Sequence, residues 1–256
     1  MMKVVFIGAG NVATHLAVEL YKKGFDIIQV YSYTLQSATK LARQVDAAPI
    51  NDLSVLINDA DLYIFSLKDS VLEDVISKIP ANNGLWIHTA GSMPLTVFEN
   101  QTKRYGVVYP FQTFSKDREV SWNNIPIFIE ASDNESLSLL MNIVKQLSSC
   151  VMELSSDKRR YVHITGVFAC NFTNHMYRLS SLFLEQAGLS LEIALPLIDE
   201  TASKVHTLTP QEAQTGPAIR YDENIINKHL ELIEDKDIKD IYKQISINIH
   251  KLNNEQ

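Results

Sequence analysis

The 256-residue chain is predicted to be an α/β protein: a doubly wound parallel sheet followed by an all-helical unit. Three observations carry the prediction. Short apolar, β-branched runs alternate with helix-period stretches through the first 155 residues, which is the grammar of βαβ units. The strand candidates are apolar along their whole length, as strands covered on both faces of a parallel sheet are. From Asp157 onward the strand vocabulary stops and helical periodicity runs to the end. The expected division is therefore residues 1–155 and 156–256.

Taken in order, Lys3 to Ile7 is a first strand, Asn11 to Lys23 a helix, Asp26 to Tyr31 a strand, Ser37 to Gln44 a helix and Leu62 to Ser66 a strand. A helix at Val71 to Ile79 precedes strands at Leu85 to Thr89, Gly106 to Tyr109 and Pro126 to Glu130. The helix after Asn134 carries Leu137, Leu140, Met141, Val144 and Leu147 on one face, and Cys150 to Leu154 is a last strand. Asp157 to Ala187 forms one long apolar-periodic segment closed by Gly188, and Ser190 is placed to cap a successor. Pro196 starts or kinks a helix, and Thr209-Pro210-Gln211-Glu212 has capping-box spacing with proline at the first helical position. Ile225 to Ile233 and Ile238 to Ile249 are amphipathic helices.

Composition narrows the function classes. Apolar residues at 46% against 21% charged describe a packed globular chain rather than a disordered one. With 23 Lys and Arg against 30 Asp and Glu the net charge is -7, and Lys158-Arg159-Arg160 is the one dense basic spot, which argues against nucleic acid as a partner. Two cysteines, Cys150 and Cys170, supply neither a disulfide framework nor a four-ligand zinc site, and no metal is expected. No run approaches the roughly 20 apolar residues of a membrane span, and glycine interrupts the N-terminal apolar run early, so a soluble cytoplasmic protein is expected.

Directly after the first strand stands Gly8-Ala9-Gly10-Asn11-Val12-Ala13, the G-x-G-x-x-A dinucleotide fingerprint. Gly8 permits the turn, Gly10 lets backbone approach a pyrophosphate, and Ala13 allows close helix packing, while the amides of Asn11 and Val12 open a helix whose dipole favours the anion. The second strand ends Tyr31-Ser32-Tyr33-Thr34, with no Asp or Glu between Ile27 and Val45. Ser32, Tyr33 and Thr34 thus present hydroxyls to the ribose. The missing carboxylate favours NADP, leaving NAD as the second choice, and Lys40 or Arg43 would have to reach across from the next helix to meet the phosphate.

On these residues the N-terminal half resembles the pyrroline-5-carboxylate reductase and deazaflavin-dependent NADP reductase group of Rossmann proteins. The resemblance lies in Val5 to Ala13, in Ser66-Leu67-Lys68-Asp69 and in His88-Thr89-Ala90-Gly91-Ser92. With Tyr109-Pro110-Phe111-Gln112-Thr113-Phe114, Asn171 and Thr215-Gly216-Pro217-Ala218-Ile219-Arg220, the whole chain looks like a bacterial family of NADP oxidoreductases. Members join a Rossmann domain to a helical C-terminal domain of unknown function. The resemblance implies NADP, a helical domain like that of 6-phosphogluconate dehydrogenase, and homodimers; it implies no substrate. Members tend to carry arginine where this chain has Tyr33 and histidine where it has Tyr109.

Reduction of C=O or C=N by a nicotinamide needs a proton donor, orienting groups and a dry crevice at the carboxyl ends of the strands. Ser66, Leu67, Lys68 and Asp69, and His88, Thr89, Ala90, Gly91 and Ser92, follow parallel strands on that side and are expected to border the cofactor. On the long helix His163, Gly166, Cys170 and Asn174 share a stripe, with Asn171 about 80° away. His163 is the expected proton donor, and Asn171 or Asn174 a hydrogen-bond donor to substrate or ribose. Arg220 is a second choice, as a clamp for a carboxylate or phosphate, with Asp222 beside it as a helix cap.

Other enzyme classes fail on spacing. No tyrosine precedes a lysine by four, the single Lys-x-x-x-Asn at Lys78 is broken by Pro80, and G-x-S-x-G and H-x-x-x-H are absent. The expected function is NADP-linked oxidoreduction of a small carbonyl or imine compound. The rival is a non-catalytic dinucleotide-binding or sensing protein.

Overall fold

The computed structural model describes residues 1–254, and the chain falls into two compact units, Met1–Asn171 and the remainder from Phe172. The first contains β1 (Lys3–Ile7), α1 (Asn11–Lys22), β2 (Asp26–Tyr31), α2 (Leu35–Ala42), β3 (Ala48–Ile50), β4 (Leu62–Phe65) and α3 (Asp69–Ser77). There follow β5 (Leu85–His88), β6 (Tyr105–Pro110), β7 (Ile127–Ala131), α4 (Asn134–Val144), β8 (Val151–Glu153) and α5 (Ser156–Gly166). The strands form one sheet in the order β3-β2-β1-β4-β5-β6-β7-β8. The order reverses between β1 and β4, which opens a crevice at their carboxyl ends, the place where doubly wound sheets bind ligands.

Every neighbouring pair is parallel except β6 and β7, so the expectation of a parallel sheet fails at that one step. A parallel return needs a crossover, normally a helix. The segment between these strands has none, and Phe111 N bonds Pro126 O at 2.8 Å to close the base of a long hairpin. The short edge strand β3 escapes a sequence reading because it has three residues, one of them Pro49.

Alternation along the buried strands splits the core into two layers. Val4 and Phe6 face Leu16 and Leu20 of α1 and Leu140 and Val144 of α4. Val5 and Ile7 join Tyr63, Phe65, Trp86 and Phe98 on the opposite face. Trp86 and Phe98 meet edge-on at 6.0 Å, and each such fully buried side chain stabilises the unit by roughly 1.5–3 kcal/mol. These layers hold the strand ends, and hence the loops above them, in fixed positions.

The change from strands to helices comes near residue 155, but α5 belongs with the sheet. Arg159, 1% exposed, donates to Glu130 of β7 at 2.7 Å and to Met93 O at 2.6 Å, while Ser156 Oγ donates to the same carboxylate at 2.7 Å. Arg159 is thus no part of a surface basic patch. The segment expected as one long helix is interrupted by a π-turn at Val167–Phe172.

The second unit contains α6 (Thr173–Gln186), α7 (Leu195–Lys204), α8 (Pro217–Arg220), α9 (Glu223–Leu232) and α10 (Lys236–Asn254). Gly188, at φ +73°, follows α6; Pro196 falls in the first turn of α7; Asp222 accepts from Ile225 N to cap α9. The Thr209/Glu212 capping box forms reciprocally, at 2.9 and 3.3 Å, yet closes on a single turn and starts no α-helix. Thr215 and Gly216 follow too soon, and Gly216 sits at φ +102°. Among the described residues no helix is long and apolar enough to cross a membrane.

Candidate active site

The fingerprint turn is built by contact as well as by conformation. Gly8 has φ +121°, and a Cβ there would lie 2.1 Å from Ser66 O, so the turn passes directly over the end of β4. Gly10 is extended, with nothing within 4 Å of a Cβ, and α1 begins with neither an acidic first turn nor a side-chain cap. Open space beside uncapped amides is what a pyrophosphate requires, and the residues fit a dinucleotide. Asn11 and Val12 border the cavity described next, Asn11 Nδ2 donating to Phe114 O at 2.8 Å.

At the end of β2, Ser32 N bonds Ile50 O at 3.1 Å, and Tyr33 is 90% exposed. Thr34 caps α2, its hydroxyl donating to Ser37 Oγ at 2.9 Å. No carboxylate stands at this strand end to repel a ribose phosphate.

Within the first unit a cavity of about 470 Å³ opens at the carboxyl ends of β4, β5 and β6 and along α5. Thr89, Ala90, Gly91, Tyr109, Phe111, His163 and Asn171 border it. Thr89 Oγ1 donates to Ser66 Oγ at 3.0 Å, tying the ends of β4 and β5 together. Tyr109 Oη and His163 Nδ1 lie 3.2 Å apart, their rings meeting edge-on at 6.1 Å. Gly91 makes room for this contact: a Cβ there would stand 2.6 Å from His163 Nδ1 and 2.9 Å from Tyr109 Cζ. Gly166 does the same for Phe111, whose ring would come within 2.9 Å of a Cβ. Gly166 of the predicted stripe therefore serves close packing in the wall of the cavity.

Electrostatics separate the two histidines expected near the cofactor. His88 is wholly buried, and burial, aided by the positive charge of Arg159, pushes its pKa down to about 3. Ala90 N donates to its Nδ1 at 3.2 Å, which leaves Nε2–H to meet Pro94 O at 3.3 Å. His88 is a neutral brace for the 88–94 loop and does not border the cavity. Tyr109 is shifted the other way: burial raises its pKa, with Arg159 pulling against that rise, so the phenol keeps its proton at neutral pH.

Of the residues chosen from sequence, the structure brings His163 and Asn171 together with the fingerprint and the end of β5. The π-turn explains Asn171. A π-turn takes about one residue more than an α-turn, which rotates Asn171 back from its expected offset toward the face that carries His163. Asn174 is exposed on α6 and Arg220 is exposed at the end of α8, both in the second unit. Ser66 and Leu67 lie under the Gly8 turn, and Lys68 is exposed at the start of α3. Asp69, the last residue of the Ser66–Asp69 stretch expected at this strand end, borders the cavity and accepts from Ser92 Oγ. Sequence reasoning missed two groups. Tyr109 needed its contact with a residue 54 positions later. Arg159 shares a helical stripe with His163 and Gly166, a signal that was present.

Comparison with known proteins places these features. A family model described as NADP oxidoreductase, coenzyme F420-dependent, matches residues 3–87, and one described as a domain of unknown function, DUF2520, matches residues 125–249. The chain is 48% identical to a structure named "putative NADP oxidoreductase" from Bacteroides fragilis, with 98% of each chain covered and a TM-score of 0.92. An imine reductase from Myxococcus stipitatus, solved with NADP+, shares the fold at 14% identity, with 99% of this chain and 93% of that one covered and a TM-score of 0.65. So does 1-pyrroline-5-carboxylate reductase from Streptococcus pyogenes, at 13% identity, 98% coverage of both and a TM-score of 0.63. No curated protein matches the chain. With near-complete coverage at 48% identity, the chain belongs to the NADP oxidoreductase family of the Bacteroides fragilis protein, which joins a Rossmann unit to a helical domain of unknown function.

Proposed function

We propose that the protein is an NADP(H)-linked oxidoreductase of a small carbonyl or imine compound, in which Tyr109 and His163 act together as the proton donor. The 3.2 Å contact between them, inside a cavity at the strand ends, carries the reading. A bound nicotinamide supplies or accepts the hydride. The chain supplies the rest. With His163 protonated on Nδ1, that N–H donates to Tyr109 Oη and frees the phenolic proton for the substrate heteroatom. As carbon gains hydride, oxygen or nitrogen gains that proton, His163 Nδ1 restores it to Tyr109, and the imidazole takes a proton back from solvent; oxidation runs the same path backwards. Phe111, Pro110 and the buried Phe114 keep water from this face, and Asn171 orients the substrate or the ribose. In the second unit Asn174 and Arg220 stay assigned to substrate recognition.

Calorimetric titration with NADPH, followed by NADPH-consumption assays against a panel of carbonyl and imine compounds, tests the proposal. Tyr109→Phe and His163→Ala are expected to leave NADPH affinity within about twofold and to lower turnover by roughly 10²–10⁴-fold. Unchanged turnover in both variants removes the proton-donor assignment. A wild-type chain that binds NADPH but turns over nothing in the panel supports the sensing alternative, and one that binds no nucleotide removes the oxidoreductase reading.

We infer further that the protein is a cytoplasmic homodimer with a small-molecule substrate and no nucleic-acid partner. The free thiols of Cys150 and Cys170 and the acidic charge balance support the location and the partner class. Exposed apolar side chains of the second unit support the dimer: Leu232 is 74% exposed, Leu197 69% and Ile193 63%.

A further inference from the structure

The family's cofactor is NADP, yet the end of β2 offers no arginine to its 2'-phosphate, and Tyr33 is turned out to solvent. Two lysines converge close by. On α2, Ser37, Lys40 and Leu41 form one stripe at i, i+3 and i+4, with Gln44 in the turn that follows the helix. Leu41 is buried at 1% exposure, which fixes the stripe against the sheet unit and sets Lys40 at its rim. Lys40 there borders a small recess with Ala9 of the fingerprint turn, Thr14 of α1 and Ser37.

The recess is closed by Lys116, which comes from the long hairpin between β6 and β7. That hairpin is held onto α1. Asn11 Nδ2 donates to Phe114 O at 2.8 Å, His15 Nε2 meets Ser115 O at 2.8 Å, and the rings of His15 and Phe114 meet at a tilt with centroids 5.1 Å apart. Lys116, the next residue, is thereby positioned rather than free to roam. Among the described residues neither lysine is in an ion pair; of the acids that line the neighbouring recess with Lys116, which are Glu19, Asp117 and Glu119, Glu19 is taken by Lys23 at 3.7 Å.

We propose that Lys40 and Lys116 together form the 2'-phosphate site that makes this chain select NADP over NAD, with Ser37 as a hydroxyl donor between them. Two cations that face one recess, lack carboxylate partners and flank the dinucleotide turn are placed for a phosphomonoester at the ribose edge. Lysine binds phosphate as a point charge, so the pair replaces in number what one bidentate arginine supplies in geometry. The proposal rests on the dinucleotide reading above and adds the residues that discriminate between the two nucleotides.

The experiment is calorimetric titration of the full chain with NADPH and with NADH, for the wild type, Lys40→Met, Lys116→Met and the double variant. Wild type is expected to prefer NADPH by about a hundredfold. Each single substitution is expected to weaken NADPH about tenfold while leaving NADH within twofold, and the double variant to bind both nucleotides alike. Equal losses for the two nucleotides would put the lysines on the shared pyrophosphate and overturn the proposal, as would an unchanged preference. A wild-type chain that binds neither nucleotide fails at the dinucleotide reading itself, and the two failures are told apart by the first titration.

Discussion

His88 shows how a residue near a site takes a different part. Its imidazole is wholly buried and is neutral down to about pH 3, whereas in the unfolded chain it gains a proton near pH 6.5. Between those values the unfolded state holds one proton more, so stability is full above pH 6.5 and falls as pH drops toward 3. The slope from this one group is about 1.4 kcal/mol per pH unit. Denaturant melts of wild type and His88→Gln from pH 7 to pH 4 are expected to show the wild type losing stability more steeply by about that amount; parallel slopes would refute it. From the sequence, a histidine at a strand end reads equally as ligand or brace, because burial and the two hydrogen-bond partners decide it. Tyr109 is the converse case. Its place at the end of β6 was plain, but its pairing with His163 depends on how α5 returns to the sheet.

At the scale of elements, α5 is positioned by a single buried cation. Arg159 bonds Glu130, Met93 O and Ser156 Oγ one helical turn before His163, so the anchor and the proposed proton donor share a rigid segment. Arg159→Met strands Glu130 and the Met93 carbonyl, and is expected to destabilise the protein by about 3–5 kcal/mol in denaturant melts. A loss below about 1 kcal/mol would show that α5 is held by packing instead. Glu130→Leu added to it is expected to recover part of the loss, since no charge is then left unpaired. Sequence periodicity located seven of the eight strands within a few residues, because each buried strand must be apolar along its length. It could not show the π-turn at Val167–Phe172. Apolar spacing reports which side of a helix is buried, not a local change of hydrogen-bond partner. Nor could it show that the Thr209 box ends after one turn, since capping residues start a helix without ensuring that it continues.

At the scale of the molecule, the second unit presents several large apolar side chains to solvent. Leu195, Leu197, Val205, Leu208 and Leu232 are all more than 40% exposed. Light scattering at micromolar concentration is expected to give twice the monomer mass of 28.9 kDa, and a stable monomer would refute the homodimer. A paired charge substitution, Leu197→Glu with Leu232→Glu, is expected to shift the equilibrium toward monomer without altering NADPH binding. The change of vocabulary near residue 155 marks where strands give way to helices. The first compact unit runs on to Asn171, and Arg159, a charged residue that no hydropathy pattern shows as buried, is one of the groups that tie α5 to the sheet.

The two fingerprint glycines are not equivalent as experimental handles. Any side chain at Gly8 collides with the Ser66 carbonyl and forces a disfavoured backbone angle, so a variant there reports on whether the first unit folds. Gly10 borders open space in an ordinary extended conformation, and Gly10→Ala leaves the fold intact while filling the approach to the helix amides. A ligand-free control for every binding measurement on this protein is therefore a methyl group at position 10, and the customary choice of the first glycine would confuse an unfolded chain with an empty one.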